Sequence, residues 1–110
     1  MTNPVISANR SQTWMVDNRR HREDGSAIIY ADGTQVWYVD GRLHHEGGPA
    51  VIYADGTQYW YKDGKYHRED GPAVVDASGS QEWWIDDVEV EEKDFEEAVK
   101  LYHCRMVLES

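Results

Sequence analysis

The chain has 110 residues and carries 21 acidic against 11 basic side chains, a formal net charge of −10. Such a surface repels phosphate, so we expect no direct binding to DNA, RNA or an anionic membrane. Because Cys104 is the only cysteine and no apolar stretch is long enough for a membrane span, we expect a single cytoplasmic domain over residues 1–110, without disulfides.

A 23-residue repeat organises residues 5–87. Two residue types mark the period, each recurring every 23 residues: Trp14, Trp37, Trp60 and Trp83, and His21, His44 and His67. A fixed period of this length is typical of repeat architectures, in which each unit buries its apolar face against its neighbours. The copies run over 5–27, 28–50 and 51–73, and a fourth begins at residue 74 and loses the pattern after residue 87.

Each copy contains short runs rich in Val, Ile, Tyr and Trp that are separated by Asp-Gly pairs. Asp-Gly between apolar runs favours a tight hairpin, because Gly accepts the positive φ that the turn requires. The pattern predicts pairing of 27–31 with 34–39, of 50–54 with 57–62, and of 73–76 with 80–85. We therefore predict a mainly β fold, an antiparallel meander of about four hairpin repeats.

Alternation along the second strand of each copy divides its side chains between two faces. One face carries the tryptophan column, which we predict to be the packed interior. The opposite face carries four aromatic residues: Tyr38, Tyr59, Tyr61 and Trp84. Since both faces are apolar, we expect the four aromatic residues either to be covered by another part of the chain or to contact a partner.

The alternating pattern stops after Asp87, and residues 91–108 are predicted to form a helix that caps the last hairpin. Phe95, Ala98 and Tyr102 recur at helical spacing, with acidic residues at the start of the segment and basic residues later, as the helix dipole favours. An acidic run leads into this helix and includes Asp86, Asp87, Glu89, Glu91 and Glu92.

The repeat motif resembles that of MORN repeats. It reads Trp37-x-x-x-Gly41-x-x-His44 and Trp60-x-x-x-Gly64-x-x-His67, each preceded by Ala-Asp-Gly-Thr. The resemblance covers residues 5–87 and implies a row of β-hairpins in an elongated, curved sheet that serves chiefly for protein–protein contacts. The segment that follows each repeat histidine is similar to that of compact arrays in bacterial and phage-encoded proteins.

No arrangement of residues predicts catalysis. The chain has no nucleophile motif and no phosphate-binding loop, and we expect turn carboxylates such as Asp32 and Asp55 to keep ordinary pKa values. Imidazoles at His21, His44 and His67 could hold zinc, but a structural role, each bracing its own hairpin loop, explains the same period without a metal. We predict no enzymatic activity, no cofactor and no metal site.

These features predict a module that binds a protein partner through Tyr38, Tyr59, Tyr61 and Trp84 and an acidic rim formed by Asp86, Asp87, Glu89, Glu91 and Glu92. The alternative is a small, phage-encoded inhibitor whose acidic run mimics nucleic acid and blocks a DNA- or RNA-handling enzyme such as a host defence nuclease. A homodimer is a further hypothesis, formed through the open first strand at 5–9 or between the basic cluster near residue 20 and the acidic run of another copy.

Overall fold

An antiparallel sheet of nine strands runs through all four copies of the repeat in the computed structural model, which describes residues 3–109. The chain forms, in order, β1 (Val5–Ile6), β2 (Gln12–Thr13), β3 (Met15–Val16), β4 (Arg19–Arg20), β5 (Ile28–Ile29), β6 (Gln35–Val36), β7 (Tyr38–Val39), β8 (Arg42–Leu43), β9 (Val51–Ile52), β10 (Gln58–Tyr59), β11 (Tyr61–Lys62), β12 (Lys65–Tyr66), β13 (Val74–Val75), β14 (Gln81–Ile85), β15 (Val88–Val90), a 3-10 turn (Glu92–Asp94) and α1 (Phe95–Glu109). The molecule is a flat slab of 46 × 37 × 17 Å. No helix within residues 3–109 has the length and apolar character needed to cross a bilayer.

The main sheet leaves out one hairpin in each of the first three copies. Its order is β1-β2-β5-β6-β9-β10-β13-β14-β15, while within residues 3–109 the pairs β3–β4, β7–β8 and β11–β12 form three separate two-stranded sheets. We call these three pairs the side hairpins. The mainly β, antiparallel meander with a C-terminal helix is therefore confirmed, but each of the first three copies folds into two hairpins rather than one.

The predicted second strand of each inner copy is broken at its tryptophan. The Trp37 N–H donates to the Ala50 carbonyl at 2.7 Å, whereas the Trp37 carbonyl accepts from the His44 N–H at 3.2 Å. Its backbone thus bonds on one side to the segment that enters β9 and on the other side to the residue that follows β8. The predicted strand 34–39 consequently becomes β6 and β7, and only β14 in the fourth copy remains continuous through its tryptophan.

Two-residue turns close the side hairpins. Asp40 and Gly41 have φ values of 52° and 78°, and Asp63 and Gly64 have 51° and 82°. Positive φ at both central residues is the type I′ geometry, whose twist matches that of the flanking strands. These Asp-Gly pairs therefore close hairpins of their own, rather than only separating apolar runs.

The packed interior lies on the valine and tyrosine face of the main sheet. Ile28, Val36 and Val51 are buried and lie directly opposite one another on neighbouring strands. The half-buried side chains that pack against this core cluster are Tyr38, Leu43, Tyr59 and Tyr61. Because Tyr38, Leu43 and Tyr61 belong to side hairpins, the change of direction at each tryptophan brings the hairpins onto this face.

The prediction that the tryptophan column forms the interior is accordingly wrong. Only Trp14 is buried among the repeat tryptophans, all of which lie within residues 3–109, and the other three are half-buried. Residues of the link that follows each side hairpin cover the indole rings instead: the Arg22 guanidinium lies 3.8 Å from the Trp14 ring, Arg68 lies 3.9 Å from the Trp60 ring, and His45 stacks on Trp37 at 4.5 Å. Cations over indole faces stabilise such half-buried positions.

The C-terminal helix packs against β14. It begins at Phe95, after the 3-10 turn, and so starts later than predicted. Tyr102 is buried with its ring 4.8 Å from that of His67, and His103 Nε2 lies 2.6 Å from Glu69 Oε1. The helix therefore covers the histidine side of the last copies and leaves the tyrosine face of the earlier copies open.

Candidate functional site

An open groove of about 700 Å³ extends over the first three copies on the side of the core cluster. The main sheet contributes Val36, Val51 and Tyr59, the side hairpins contribute aromatic and leucine side chains, and the turns before β2 and β6 contribute polar ones. Six of the seven tyrosines of the chain line it among the residues described: Tyr30, Tyr38, Tyr53, Tyr59, Tyr61 and Tyr66. We call this site the tyrosine groove.

The repeat itself explains why the tyrosines gather there. Tyr30 and Tyr53 occupy the same position in consecutive copies, immediately before Ala-Asp-Gly, and Tyr38 and Tyr61 both begin a side hairpin. Each inner copy adds two strands to the main sheet, and neighbouring strands lie about 4.8 Å apart. Equivalent tyrosines of consecutive copies are therefore spaced about 10 Å apart along the groove.

Ring contacts join the tyrosines of the third copy into one surface. Tyr61 stacks on Tyr66 with ring centroids 4.6 Å apart, Tyr59 lies 5.6 Å from Tyr53 in an edge-on arrangement, and Tyr66 lies 5.1 Å from Trp84. Such pairs stabilise one another beyond simple burial. Burial also raises the pKa of Tyr59 and of Tyr61, so both hydroxyls stay protonated and able to donate hydrogen bonds at neutral pH.

The charge of the groove is negative. Asp32 is the one charged residue among the described residues that line it, and no Lys or Arg does so. The Thr34 N–H donates to Asp32 Oδ1 at 2.9 Å and holds the pKa of that carboxyl below its ordinary value. The prediction of ordinary values is thus wrong for Asp32 and Asp55, and hydrogen bonds from the equivalent turn lower the pKa of Asp76 in the same way. We call these three the turn aspartates.

One buried hydroxyl in the groove has no partner. Ser11 is 5% exposed, and its Oγ makes no hydrogen bond with any residue in the range 3–109. Thr34 and Thr57 hold the equivalent position in the next two copies, and their hydroxyls accept from the N–H groups of Ala54 and Ala77 at 3.2 and 3.1 Å. A buried hydroxyl is rarely left unsatisfied in a folded protein, so Ser11 is the exception among the equivalent hydroxyls of the first three copies.

The structure brings together most of the predicted aromatic site. Tyr38, Tyr59 and Tyr61 line the groove, and Trp84 lies beyond its end, in contact with Tyr66. Three groove tyrosines were not predicted: Tyr30, Tyr53 and Tyr66. The first two recur at the 23-residue interval and could have been found from it, whereas Tyr66 lies in β12, a strand that the pattern did not predict.

The predicted acidic rim separates into two parts. Asp86 Oδ1 lies 3.4 Å from His67 Nδ1 and Asp86 Oδ2 lies 3.9 Å from Arg105 Nη2, while Asp87 Oδ1 accepts from the Tyr66 N–H at 2.7 Å. These two carboxylates hold the last turn together. Three others are exposed to solvent: Glu89, Glu91 and Glu92. We call these three the exposed rim.

The repeat histidines link neighbouring copies. His21, His44 and His67 accept through Nδ1 from the N–H groups of Asp40, Asp63 and Asp86 at 3.0, 3.1 and 3.1 Å, and their Nε2 atoms contact Glu23, Glu46 and Glu69. Each ring therefore bonds to the turn of the following copy, rather than bracing only its own loop. No three His, Cys, Asp or Glu side chains converge on a metal position within residues 3–109.

Comparison of the chain with protein-family models, with curated proteins and with solved structures finds no match. The resemblance to MORN repeats consequently stays a prediction based on the repeat motif. What the residues themselves provide is an open, tyrosine-lined groove with an unpaired hydroxyl and a neighbouring set of exposed carboxylates.

Proposed function

We propose that this chain is a non-enzymatic module that binds a protein partner in the tyrosine groove. The observation that carries the proposal is the concentration of tyrosines in one open groove, where Tyr30 and Tyr53 remain 42% and 44% exposed. Tyrosine offers a large contact area and a hydroxyl at a low loss of conformational entropy, and it is enriched where interfaces derive their binding energy. Large exposed aromatic surfaces of this kind mark interaction sites.

The exposed rim would orient the partner. Glu89 lies directly opposite Trp84 on the paired strands β14 and β15, so the carboxylates begin where the aromatic surface ends. With a net charge of −10, the module would attract a basic partner and repel nucleic acid and anionic membranes. The single cysteine is consistent with action in the bacterial cytoplasm, or in the host cytoplasm for a phage-encoded protein.

Affinity capture from a bacterial lysate tests the proposal when three forms of the tagged protein are compared. Tyr53→Ala removes an exposed ring from the groove, and Val88→Ala removes a side chain that is 63% exposed outside it. We expect a partner that survives a high-salt wash, is lost with Tyr53→Ala, and is retained with Val88→Ala. A set of captured proteins that is the same for all three folded forms would rule out the groove as the site.

The second candidate is an inhibitor that mimics nucleic acid, and the exposure of Glu89, Glu91 and Glu92 favours it. A mimic would bind through carboxylates, so its capture should weaken steeply as salt rises. Replacing the exposed rim by glutamine would then abolish capture, while Tyr53→Ala would leave it unchanged. Recovery of a nuclease or polymerase with this pattern would replace the first proposal by the second.

The first strand supports self-association as a further proposal. β1 is an edge of the main sheet, and Val5 and Ile6 are 61% and 59% exposed. Edge strands with apolar side chains readily pair with another chain. Sedimentation velocity would show a dimer that dissociates when Ile6 is replaced by lysine, and a monomer at all concentrations would exclude the pairing.

A further inference from the structure

We propose that the tyrosine groove takes a proline-rich segment in the polyproline II conformation that carries a basic residue. This inference rests on the proposed protein-binding function and narrows the class of partner. Four properties of the groove support it: the spacing of its equivalent tyrosines, its hydrogen-bond donors, the unpaired Ser11 hydroxyl and its charge.

The spacing of the repeat matches the period of polyproline II. One copy adds two strands to the main sheet, about 9.6 Å at about 4.8 Å per strand. A polyproline II helix rises about 3.1 Å per residue with three residues per turn, so its faces recur every 9.3 Å or so. A segment that lies across the strands would therefore present the same face to Tyr30 and Tyr38 in one copy and to Tyr53 and Tyr61 in the next.

An extended β-strand would not keep this register. Its side chains recur on one face about every 6.6 Å, two residues at about 3.3 Å each, which does not divide the spacing of the copies. Proline rings also pack well on aromatic faces, and the polyproline II conformation is already formed before binding, so little conformational entropy is lost. The periodic tyrosines thus favour every third residue of a proline-rich segment as the contact residue.

The groove supplies the donors that such a segment needs. Polyproline II has no internal hydrogen bonds, so its carbonyl groups accept bonds from the surface on which it lies. The protonated tyrosine hydroxyls can donate these bonds, and the buried Ser11 Oγ offers a further donor without a present partner among the described residues. A ligand carbonyl near Ser11 would accept from its O–H, the donor side of the hydroxyl, whereas at Thr34 and Thr57 the hydroxyl oxygen accepts from an alanine N–H of the next copy.

The charge of the groove selects a basic segment. Asp32 lies in the lining, no described lining residue is basic, and the chain as a whole is strongly acidic. An anionic ligand would find no counter-charge there, whereas an Arg or Lys beside the prolines would pair with the Asp32 carboxylate.

Titration calorimetry with a peptide of two arginines followed by nine prolines tests the inference. We expect saturable binding with one peptide per chain, weakened about tenfold or more, equivalent to about 1.4 kcal/mol, by Tyr53→Ala and by Ser11→Ala, and unchanged by Val88→Ala. Ser11→Ala removes no existing hydrogen bond, so its melting temperature should equal or exceed that of the unmodified protein. Weaker binding by a variant of undiminished stability would place the Ser11 hydroxyl in the site.

A second pair of changes tests the charge. Replacing the two arginines of the peptide by alanine should weaken binding to the unmodified protein but not to Asp32→Asn, because the pair is then already broken. An equal loss of affinity in both proteins would show that Asp32 does not contact the arginines, and the preference for a basic segment would then be wrong.

Other outcomes would overturn the inference in distinguishable ways. Absence of saturable peptide binding, together with a captured partner that depends on Tyr53, would exclude the proline-rich ligand and leave the proposed function in place. Absence of peptide binding and of a captured partner that depends on Tyr53 would exclude both the proline-rich ligand and the proposed function. Stronger binding of an alternating Thr-Val peptide with the same arginines, or of a chitin or cellulose hexasaccharide, with the same dependence on Tyr53, would assign the groove to a strand or to a carbohydrate instead.

Discussion

The histidine links between copies provide a quantitative test of how the array holds together. His44 and His67 make the same two contacts, but the partners of His44 are exposed, with Glu46 and Asp63 side chains 84% and 65% accessible. Water can replace these contacts, so we expect His44→Ala to lower the free energy of unfolding by about 1 kcal/mol, the net value of an ordinary hydrogen bond.

The loss at His67 should be larger. Its side chain is 4% exposed, and the N–H of Asp86 that donates to it would be left in a partly buried position. An unsatisfied donor there costs about 1–3 kcal/mol, and loss of the ring contact with Tyr102 adds about 0.5–1.5 kcal/mol. We therefore expect His67→Ala to lower the free energy of unfolding by about 3 kcal/mol.

Urea and thermal unfolding of both variants give the comparison. For a chain of this size each kcal/mol lowers the melting temperature by about 4 °C, which predicts a decrease of about 4 °C for His44→Ala and about 12 °C for His67→Ala. His67→Asn is the control, because its side-chain oxygen can still accept from the Asp86 N–H and should recover about 1 kcal/mol. Equal losses of free energy of unfolding for His44→Ala and His67→Ala would show that the cover provided by α1 does not strengthen the contacts of His67.

Three further predictions concern the turns and the groove. Thr57→Val removes the hydroxyl that accepts from the Ala77 N–H and should destabilise the fold by about 1–2 kcal/mol in urea, whereas Ser11→Ala should not destabilise it. The pKa values of the turn aspartates are lowered in the folded protein. Their contribution to stability is therefore complete above their ordinary pKa near 4 and is lost as the pH falls through the lowered values. Replacing all three by asparagine should make the urea midpoint decline less steeply between about pH 5 and pH 2. Burial raises the pKa of Tyr61, so in an ultraviolet titration this side chain should ionise after the exposed tyrosines, above about pH 10. The free energy of unfolding should fall as the pH rises above about 10, because Tyr61 ionises at lower pH in the unfolded chain than in the folded protein.

The fold class could be predicted because its determinants are local and periodic. Asp-Gly pairs mark the turns, and alternation marks the strands, without knowledge of distant contacts. The break at Trp37 could not be predicted in this way, because it depends on the hydrogen-bond partners of the N–H and the carbonyl of a single residue. Its N–H bonds to Ala50, thirteen positions later, and its carbonyl bonds to His44, and alternation continues through the break unchanged.

The candidate site could be predicted only in part for a related reason. Alternation along the second strand finds Tyr38, Tyr59 and Tyr61, but it says nothing of Tyr30 and Tyr53, which precede turns, or of Tyr66, which lies in the returning strand of a side hairpin. It also does not show which face is the interior. Arg22 and Arg68 lie two repeat intervals apart, each immediately after a repeat histidine, with His45 at the position between them. This signal, read together with the tryptophans, indicates that arginines cover two of the indole faces.

The last boundary of the array shows why the exposed rim is smaller than the acidic run. At the inner boundary Glu46 and Asp63 are solvated, but α1 covers their counterparts, Glu69 and Asp86, which are 32% and 24% exposed. Burial alone would raise the pKa of Glu69, but the hydrogen bond from His67 and the charges of His67, His103 and Lys62 lower it instead.

The helix thus supplies basic side chains to the carboxylates that it covers, with His103 at Glu69 and Arg105 at Asp86. A carboxylate that holds two copies together cannot be removed without weakening the fold, because His67, whose side chain is 4% exposed, would lose this contact where water reaches it poorly. Replacing Asp86 along with the rest of the acidic run would therefore confuse lost binding with lost stability. Only substitution of Glu89, Glu91 and Glu92 separates a nucleic-acid mimic from a protein that binds through its tyrosines.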